Sequence, residues 1–248
     1  MKTLVIIPDL QIPQHDPKAV AVAQKLIRHI KPDTAVYIGD VIAADAVSRY
    51  PETSWEEADQ KLDDEIDATN EVLDQFDKVF RQTKTRDILY LEGNHETRVI
   101  AWAVKNFGKL GRRRAPDIER DLRLKERGYK YIYRDDQPIR ISRFDLEHGE
   151  YANQYHAAKN LRLLHRNLFY GHTHDYQVHT GGHSHNDAPK LAMSFGCLCK
   201  FKQRYIKGGG TNWIHGLGVI YYDDKGFTPF FIPIVNYRAI WNKKVFEV

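Results

Sequence analysis

Five short strings of the chain carry carboxylate, carboxamide and imidazole side chains, which are ligands for divalent cations. The strings are Asp9-Leu10-Gln11, Gly39-Asp40, Gly93-Asn94-His95-Glu96, His148-Gly149 and Gly171-His172-Thr173-His174. Each string follows a segment with the composition of a β-strand, so loops at one edge of a sheet could bring them together. Singly, such strings are common as turns or helix caps, whereas the five in this order predict one shared site.

This set of ligands favours hydrolysis assisted by two metal ions. Phosphate esters resist water because their negative charge repels a nucleophile, and paired divalent ions remove that barrier. Two ions about 3.5–4 Å apart need a shared ligand, and Asp40 is the candidate for this bridging carboxylate. Imidazole and carboxamide ligands argue against magnesium alone, and they favour manganese, with iron, zinc or nickel as alternatives.

The elements that must position these strings alternate in the first half of the chain. Apolar, β-branched runs predict strands over 3–7, 34–38 and 87–91, each buried on both faces. Asp16-Pro17 provides an N-cap and first-turn proline for a helix over 17–30, and apolar spacing of three or four predicts a helix over 55–80. A further helix is expected from Gly93 through Trp102.

The second half is richer in strands. The pattern predicts a basic loop over 105–116, helices over 117–127 and 154–166, and strands over 129–133, 139–141, 144–147 and 168–170. After a polar loop over 180–187, strands over 191–193, 218–222 and 227–235 read as antiparallel. We therefore predict an α/β fold, a four-layer α/β/β/α sandwich with two mixed sheets and a metal site at the carboxyl ends of strands.

Composition is typical of a single domain over residues 1–248. The chain has 42% hydrophobic residues and a formal charge of +4, which suits an anionic ligand but not a dedicated nucleic-acid-binding tail. We expect neither a signal peptide nor a membrane span, and hence a cytoplasmic protein. Cys197 and Cys199 are expected to be buried reduced thiols, because no partners for a soft-metal site are evident from the sequence.

The five strings resemble the signature of the calcineurin-like metallophosphoesterases, which reads D-x-H, G-D-x-x-D, G-N-H-[DE], H and G-H-x-H in this order. The resemblance covers about residues 1–175. It implies that two ions share one bridge, with Asp9, Asp40 and His174 on the first ion and Asp40, Asn94, His148 and His172 on the second. It also implies that His95 stands beside the metals and protonates the leaving oxygen.

Two positions depart from that signature. Gln11 stands where the family has histidine, which predicts a weakly bound first metal, with Gln11 as a weak ligand or a water contact. The last carboxylate of G-D-x-x-D is missing after Asp40. Asp45, two residues further on, could replace it or could cap a helix, and we favour the cap. The D-x-Q variant resembles phosphoesterases encoded by phages, which would place the protein in the host cytoplasm.

The expected substrate is a phosphodiester in nucleotides or nucleic acid, DNA included. A phosphomonoesterase acting on proteins or small molecules is the alternative, and Gln11 also keeps open a binding module with a vestigial metal site. Arg98, one turn after His95, is a candidate contact for a substrate phosphate, with an ion pair as the other interpretation. The run Arg112 to Arg114 could bind a polyanion or could simply be solvated.

Overall fold

The computed structural model describes residues 1–49, 59–109, 111–181, 188–203, 206 and 210–248. Within these ranges the helices are α1 (Pro17–Ile30), α2 (Leu62–Thr83), α3 (Asn94–Phe107), α4 (Ile118–Asp121) and α5 (His156–Leu164). The strands are β1 (Lys2–Ile7), β2 (Thr34–Tyr37), β3 (Asp87–Leu91), β4 (Lys130–Ile132), β5 (Ile139–Ile141), β6 (Phe144–Glu147), β7 (Leu168–Tyr170), β8 (Val178–Gly181), β9 (Lys190–Ser194), β10 (His215–Tyr222), β11 (Phe227–Ile234), β12 (Arg238–Trp241) and β13 (Lys244–Glu247).

Two mixed sheets form the centre of the described chain. The larger sheet has the order β11-β10-β1-β2-β3-β4, in which β1 to β4 are parallel and β10 and β11 are antiparallel. The smaller sheet has the order β5-β6-β7-β9-β8, with β6, β7 and β9 parallel. Strands β12 and β13 form a separate hairpin, which contacts α1.

Alternate residues of β1 show how the layers are built. Leu4 and Ile6 pack between the two sheets, with Phe144 and Phe169 of the smaller sheet, whereas Val5 and Ile7 face the helices α1 and α2. A strand covered on both faces must be apolar throughout, as this one is. Helix α5 packs on the outer face of the smaller sheet. The predicted four-layer α/β/β/α sandwich is confirmed, and no helix in the described ranges is both long and apolar enough to cross a membrane.

Several predicted helices have different bounds in the structure. Helix α2 begins at Leu62 rather than 55, since residues 59–61 are not helical and 50–58 lie outside the described residues. It ends at Thr83, where Lys84 turns left-handed with φ 60°. Helix α3 continues past Trp102 to Phe107, into the predicted basic loop. Helix α5 covers 156–164 rather than 154–166.

The helix predicted over 117–127 is wrong beyond its first turn. Asp117 caps α4, but the helix ends at Asp121 and Arg123 adopts a left-handed φ of 55°. The guanidinium of Arg127 binds the carbonyl of Leu122 and the carboxylate of Asp77 on α2. These contacts hold the residues after α4 in a non-helical turn against α2. They override the helical preference that the local sequence suggests.

The prediction of antiparallel strands after residue 180 is correct only in part. Strands β10 and β11 do pair antiparallel. In contrast, β9, predicted over 191–193, pairs parallel with β7 on one side and antiparallel with β8 on the other. Most of the polar loop predicted over 180–187 lies outside the described residues.

Candidate metal centre

The structure brings the six predicted metal ligands into two adjoining sets at the carboxyl ends of β1, β2, β3, β6 and β7. We call Asp9, Asp40 and His174 the first donor group, and Asp40, Asn94, His148 and His172 the second donor group. Within the first donor group, one ligand atom from each residue lies within 4.8 Å of the others. The same holds within the second donor group for the Asp40 carboxylate and the two imidazoles. Asn94 Oδ1 lies 3.0 Å from His148 Nε2. Asp40 belongs to both groups, as a bridging ligand must.

The donors suit divalent cations by their chemistry and burial. Asp9 is 0% exposed and Asp40 is 1% exposed, so each would be an isolated buried charge without a cationic partner. Burial alone would raise the pKa of Asp40, but the imidazoles of His148 and His95 outweigh it and hold the pKa well below its usual range. Protonated histidine and a metal ion would satisfy the same carboxylate, so metal binding should displace protons from this site.

Asp40 is held in place by a buried carboxylate, Glu96, to which the sequence interpretation gave no role. Glu96 accepts hydrogen bonds from the backbone N–H groups of Asp40 at 3.0 Å, Val41 at 2.8 Å and Gly93 at 2.9 Å. Tyr90 donates its hydroxyl to the same carboxylate at 2.8 Å. Glu96 therefore ties the loop after β2 to the start of α3. Glu96 is the third residue after the N-cap Gly93 and accepts its backbone N–H, which is the acidic half of a capping box; this spacing could have revealed part of the role.

The ring of His148 is oriented by the backbone of β2. Its Nδ1–H donates to the carbonyl of Ile38 at 2.9 Å, which leaves Nε2 pointing at Asp40 Oδ1, 3.3 Å away. This is how metal-binding histidines are usually fixed. Burial lowers the pKa of His148, but Asp40 outweighs burial and raises it to about 9. A methyl group at Gly39 would lie 2.4 Å from the His148 ring, so only glycine fits there.

His172 reaches the site because the loop after β7 docks on Asp9. The backbone N–H of His172 donates to Asp9 Oδ1 at 3.0 Å. A Cβ atom at Gly171 would lie 2.5 Å from Asp9 Oδ2, so this approach also requires glycine. Burial, together with His148, lowers the pKa of His172 to about 4, so the ring is neutral at neutral pH and able to bind a metal.

His95, the predicted acid, contacts Asp40, the residue that the two donor groups share. Its Nδ1–H donates to the carbonyl of Ala43 at 2.5 Å, and its Nε2 lies 3.6 Å from Asp40 Oδ2. The backbone N–H of His95 also donates to Asp40 Oδ1 at 2.9 Å. The ring is therefore fixed at both ends, with one nitrogen directed into the site.

Gln11 lines the first donor group, where the resemblance would place a histidine. Its Nε2 lies 3.3 Å from His174 Nε2 and 3.4 Å from His95 Nε2, and the side chain is buried. The carboxamide thus stands between the predicted acid and a predicted metal ligand.

We predict that Gln11→His tightens metal binding at the first donor group by at least about tenfold, or ~1.4 kcal/mol. The reason is that imidazole binds manganese, iron, zinc and nickel better than a carboxamide does. Calorimetric titration of metal-free protein with Mn²⁺ would measure it. Gln14→His, on the same loop but outside the donor groups, is the control. Equal affinities in wild type and Gln11→His would contradict this account of the position.

The structure corrects the interpretation of the two cysteines, because it provides a partner for them. Both thiols are buried as expected, but Cys199 Sγ lies 3.7 Å from Nδ1 of His174. His174, Cys197 and Cys199 have ligand atoms within 4.8 Å of one another. Burial alone would raise the pKa of Cys199, but Cys197 and His174 outweigh it and lower it to about 6. Cys199 therefore orients His174, leaving Nε2 for the first donor group.

We expect Cys199→Ala to weaken Mn²⁺ binding at the first donor group by about 10–100-fold, the usual effect of removing a group that orients a metal-binding histidine. The matched control is Cys199→Ser, which keeps a polar atom in the place of the Cys199 Sγ that contacts Nδ1 of His174. Mn²⁺ titration of both variants measures the difference. The same loss in both would mean that only packing is affected.

Arg98 and Asp45 contact each other rather than the donor groups. Arg98 Nη1 lies 3.6 Å from Asp45 Oδ1 and donates to the carbonyl of Ala43 at 3.3 Å. The interpretation of Asp45 as a helix cap is wrong, because the short 3₁₀ turn begins after Ala44 and has no side-chain cap. Arg98 therefore steadies the loop whose Ala43 carbonyl also holds His95. A contact between Arg98 and substrate stays a prediction.

Comparisons with known proteins find relatives in two mycobacteriophages and similar solved structures. No family model matches the chain. The "Gene 54 protein" of Mycobacterium phage D29 and that of Mycobacterium phage L5 are each 26% identical over 257 residues, covering 100% of this chain and 99% of the relative. Among solved structures, a single mutant of Vps29 from Entamoeba histolytica covers 99% of this chain and 98% of its own, with 14% identity and a TM-score of 0.49. Wild-type Vps29 of that organism, complexed with Zn²⁺, has the same coverage, 13% identity and a TM-score of 0.47.

Proposed function

We propose that this chain is a metal-dependent phosphodiesterase that hydrolyses nucleotides or nucleic acid at a dinuclear site. The observation that carries the proposal is the sharing of Asp40 between two donor groups, with His95 Nε2 3.6 Å from its carboxylate. A single structural ion would need one set of ligands and no adjacent imidazole. Two sets around one carboxylate suit paired ions.

The first donor group would hold one ion and the second donor group the other, with manganese preferred and iron, zinc or nickel as alternatives. When bound, such ions neutralise a phosphate ester and activate water near neutral pH. His95 supplies the proton to the leaving oxygen, since Ala43 holds Nδ1 and only Nε2 can face a substrate. Glu96, the carbonyl of Ile38 and Cys199 keep the ligands Asp40, His148 and His174 in position.

The substrate class is supported by charge and by the relatives. A formal charge of +4 favours an anionic substrate. Relatives from two mycobacteriophages match the whole chain. We therefore propose a phage-encoded enzyme that acts on nucleic acid or nucleotides in the host cytoplasm, where such processing would be useful to a phage.

Parallel assays with added Mn²⁺ test the proposal. The substrates are bis-nitrophenyl phosphate as a diester, nitrophenyl phosphate as a monoester, and labelled single-stranded DNA. We expect faster turnover of the diester and of DNA, with His95→Ala and Asn94→Ala strongly impaired. A preference for the monoester would favour the phosphomonoesterase. Absence of Mn²⁺-dependent turnover of any substrate would overturn the proposal in favour of a binding module with a vestigial metal site. The weak ligand Gln11 is compatible with that alternative.

A further inference from the structure

A basic pocket lies on the edge of the smaller sheet opposite the metal centre. It is a cavity of about 730 Å³ formed by the turn before β6, the residues before β7 and β9, and the turn between β10 and β11. Among the described residues that line it, five carry Lys or Arg side chains and one, Asp224, carries a carboxylate. The five cations of this basic pocket are Arg140, Arg143, Arg166, Lys190 and Lys225.

Two of these cations are fixed by one buried carboxylate. Asp145 is 2% exposed and accepts hydrogen bonds from Arg140 Nη2 at 3.2 Å and Arg166 Nη1 at 3.3 Å. The Arg140 side chain is 62% exposed and the Arg166 side chain 38% exposed, so both guanidinium groups also reach solvent. Two positive charges against one negative charge leave this wall of the pocket positive. Its arginines are held in place before any ligand arrives.

The turns that carry the remaining cations are also tied together. Arg143 Nε donates to the carbonyl of Asp224 at 3.1 Å, and Asn167 Nδ2 donates to the carbonyl of Arg143 at 2.9 Å. The backbone N–H of Lys225 donates to Asp223 Oδ1 at 2.8 Å. These contacts join the β5–β6 turn to the β10–β11 turn. The pocket is therefore formed by contacts between turns rather than by one solvated run of lysines.

We propose that the basic pocket binds consecutive phosphate groups of a single-stranded nucleic acid. Guanidinium groups match phosphate oxygens in pairs, and the cavity is larger than one phosphate group needs. The cations come from four separate segments, so they surround the cavity and can contact successive phosphates. Binding here needs neither metal ions nor the proposed hydrolysis.

The position of the basic pocket implies that affinity depends on the length of the nucleic acid. Strands β6 and β7 separate it from His148 and His172, and β6 has 4 residues, or ~13 Å at about 3.3 Å per residue. A dinucleotide bound at the metal centre could not also fill the basic pocket. A longer oligonucleotide could occupy both, so in the metal-bound protein the pocket should add affinity for oligonucleotides that are long enough to reach both sites.

The test measures binding without hydrolysis. Fluorescence anisotropy of a labelled oligothymidylate is followed in EDTA for wild type, for Arg143→Glu/Lys225→Glu, and for Lys243→Glu/Lys244→Glu. The last variant makes the same change in charge on exposed residues at the turn between β12 and β13, away from the pocket. Arg143→Gln/Lys225→Gln provides a milder version should the reversal of charge affect folding, which circular dichroism would reveal.

We expect the pocket reversal to raise the Kd at least about tenfold and to reduce the slope of log K against log salt by about 1.4, for two lost contacts at ~0.7 each on single strands. The control should lose much less. Equal losses in both variants would overturn the proposal by showing that only net charge acts. Binding of tripolyphosphate in a calorimetric titration, with no binding of the oligonucleotide, would overturn it in favour of a small polyanion. Because EDTA removes metal, the result is separate from the outcome of the hydrolysis assays.

Discussion

Asp40→Asn should abolish Mn²⁺ binding at both donor groups and lower turnover of bis-nitrophenyl phosphate by roughly 10³-fold, about 4 kcal/mol of transition-state stabilisation. Asp40 belongs to both donor groups, so the substitution removes a charged ligand from each. In the wild type, the backbone N–H of His95 donates to Asp40 Oδ1. The side-chain oxygen of asparagine can accept the same hydrogen bond, so the variant should fold. Calorimetric titration with Mn²⁺ and steady-state kinetics give the two readouts.

The control for this substitution is Asp45→Asn, which makes the same chemical change five residues further along. Asp45 contacts Arg98 rather than a donor group. It should retain both binding events and most of the activity. If Asp40→Asn lost only one ion, the two donor groups would be independent, and a shared bridge would be excluded.

Glu96→Ala should lower the free energy of unfolding by at least about 4 kcal/mol. The substitution leaves the N–H groups of Asp40, Val41 and Gly93 and the hydroxyl of Tyr90 without their acceptor, and each unsatisfied buried group costs roughly 1–3 kcal/mol. Removing a buried carboxylate that serves several donors at once is among the larger effects expected of a single substitution. Urea denaturation followed by circular dichroism measures the loss.

Glu71→Ala is the matched control, since Glu71 is exposed on α2 and should change stability by less than about 0.5 kcal/mol. Any Glu96→Ala protein that remains folded should also bind Mn²⁺ weakly, because the loop carrying Asp40 has lost its support. A stability like that of Glu71→Ala would mean that water replaces the carboxylate and that Glu96 does not hold the loop.

The sequence was sufficient to predict the layers and the meeting of the donor groups. Runs such as residues 3–7 must be strands covered on both faces, and Asp9 and Asp40 then necessarily follow parallel neighbours. Local patterns also gave the positions of His172 and His174 in a tight turn. These features depend on periodicity and chain order, which a single sequence displays directly.

Other features depend on contacts between distant segments and could not be predicted. Cys199 is 25 residues from His174, and only the fold shows that its thiol meets Nδ1. The helix predicted over 117–127 failed because Arg127 binds Asp77, 50 residues away. Charge periodicity could not reveal that competition. The basic pocket likewise joins four segments whose cations are scattered among ordinary surface residues.

Gly39 has a mechanical consequence. A methyl group there would lie 2.4 Å from His148, on the smaller sheet, and 2.9 Å from the backbone of Gly93, on the larger. At the metal centre the two halves of the sandwich therefore approach each other as closely as a glycine hydrogen allows. Neither sheet can slide over the other without changing the spacing of the second donor group. The affinity for cations should therefore depend on the alignment of the two sheets. A distant substitution that shifts this alignment should weaken cation binding before it has other effects.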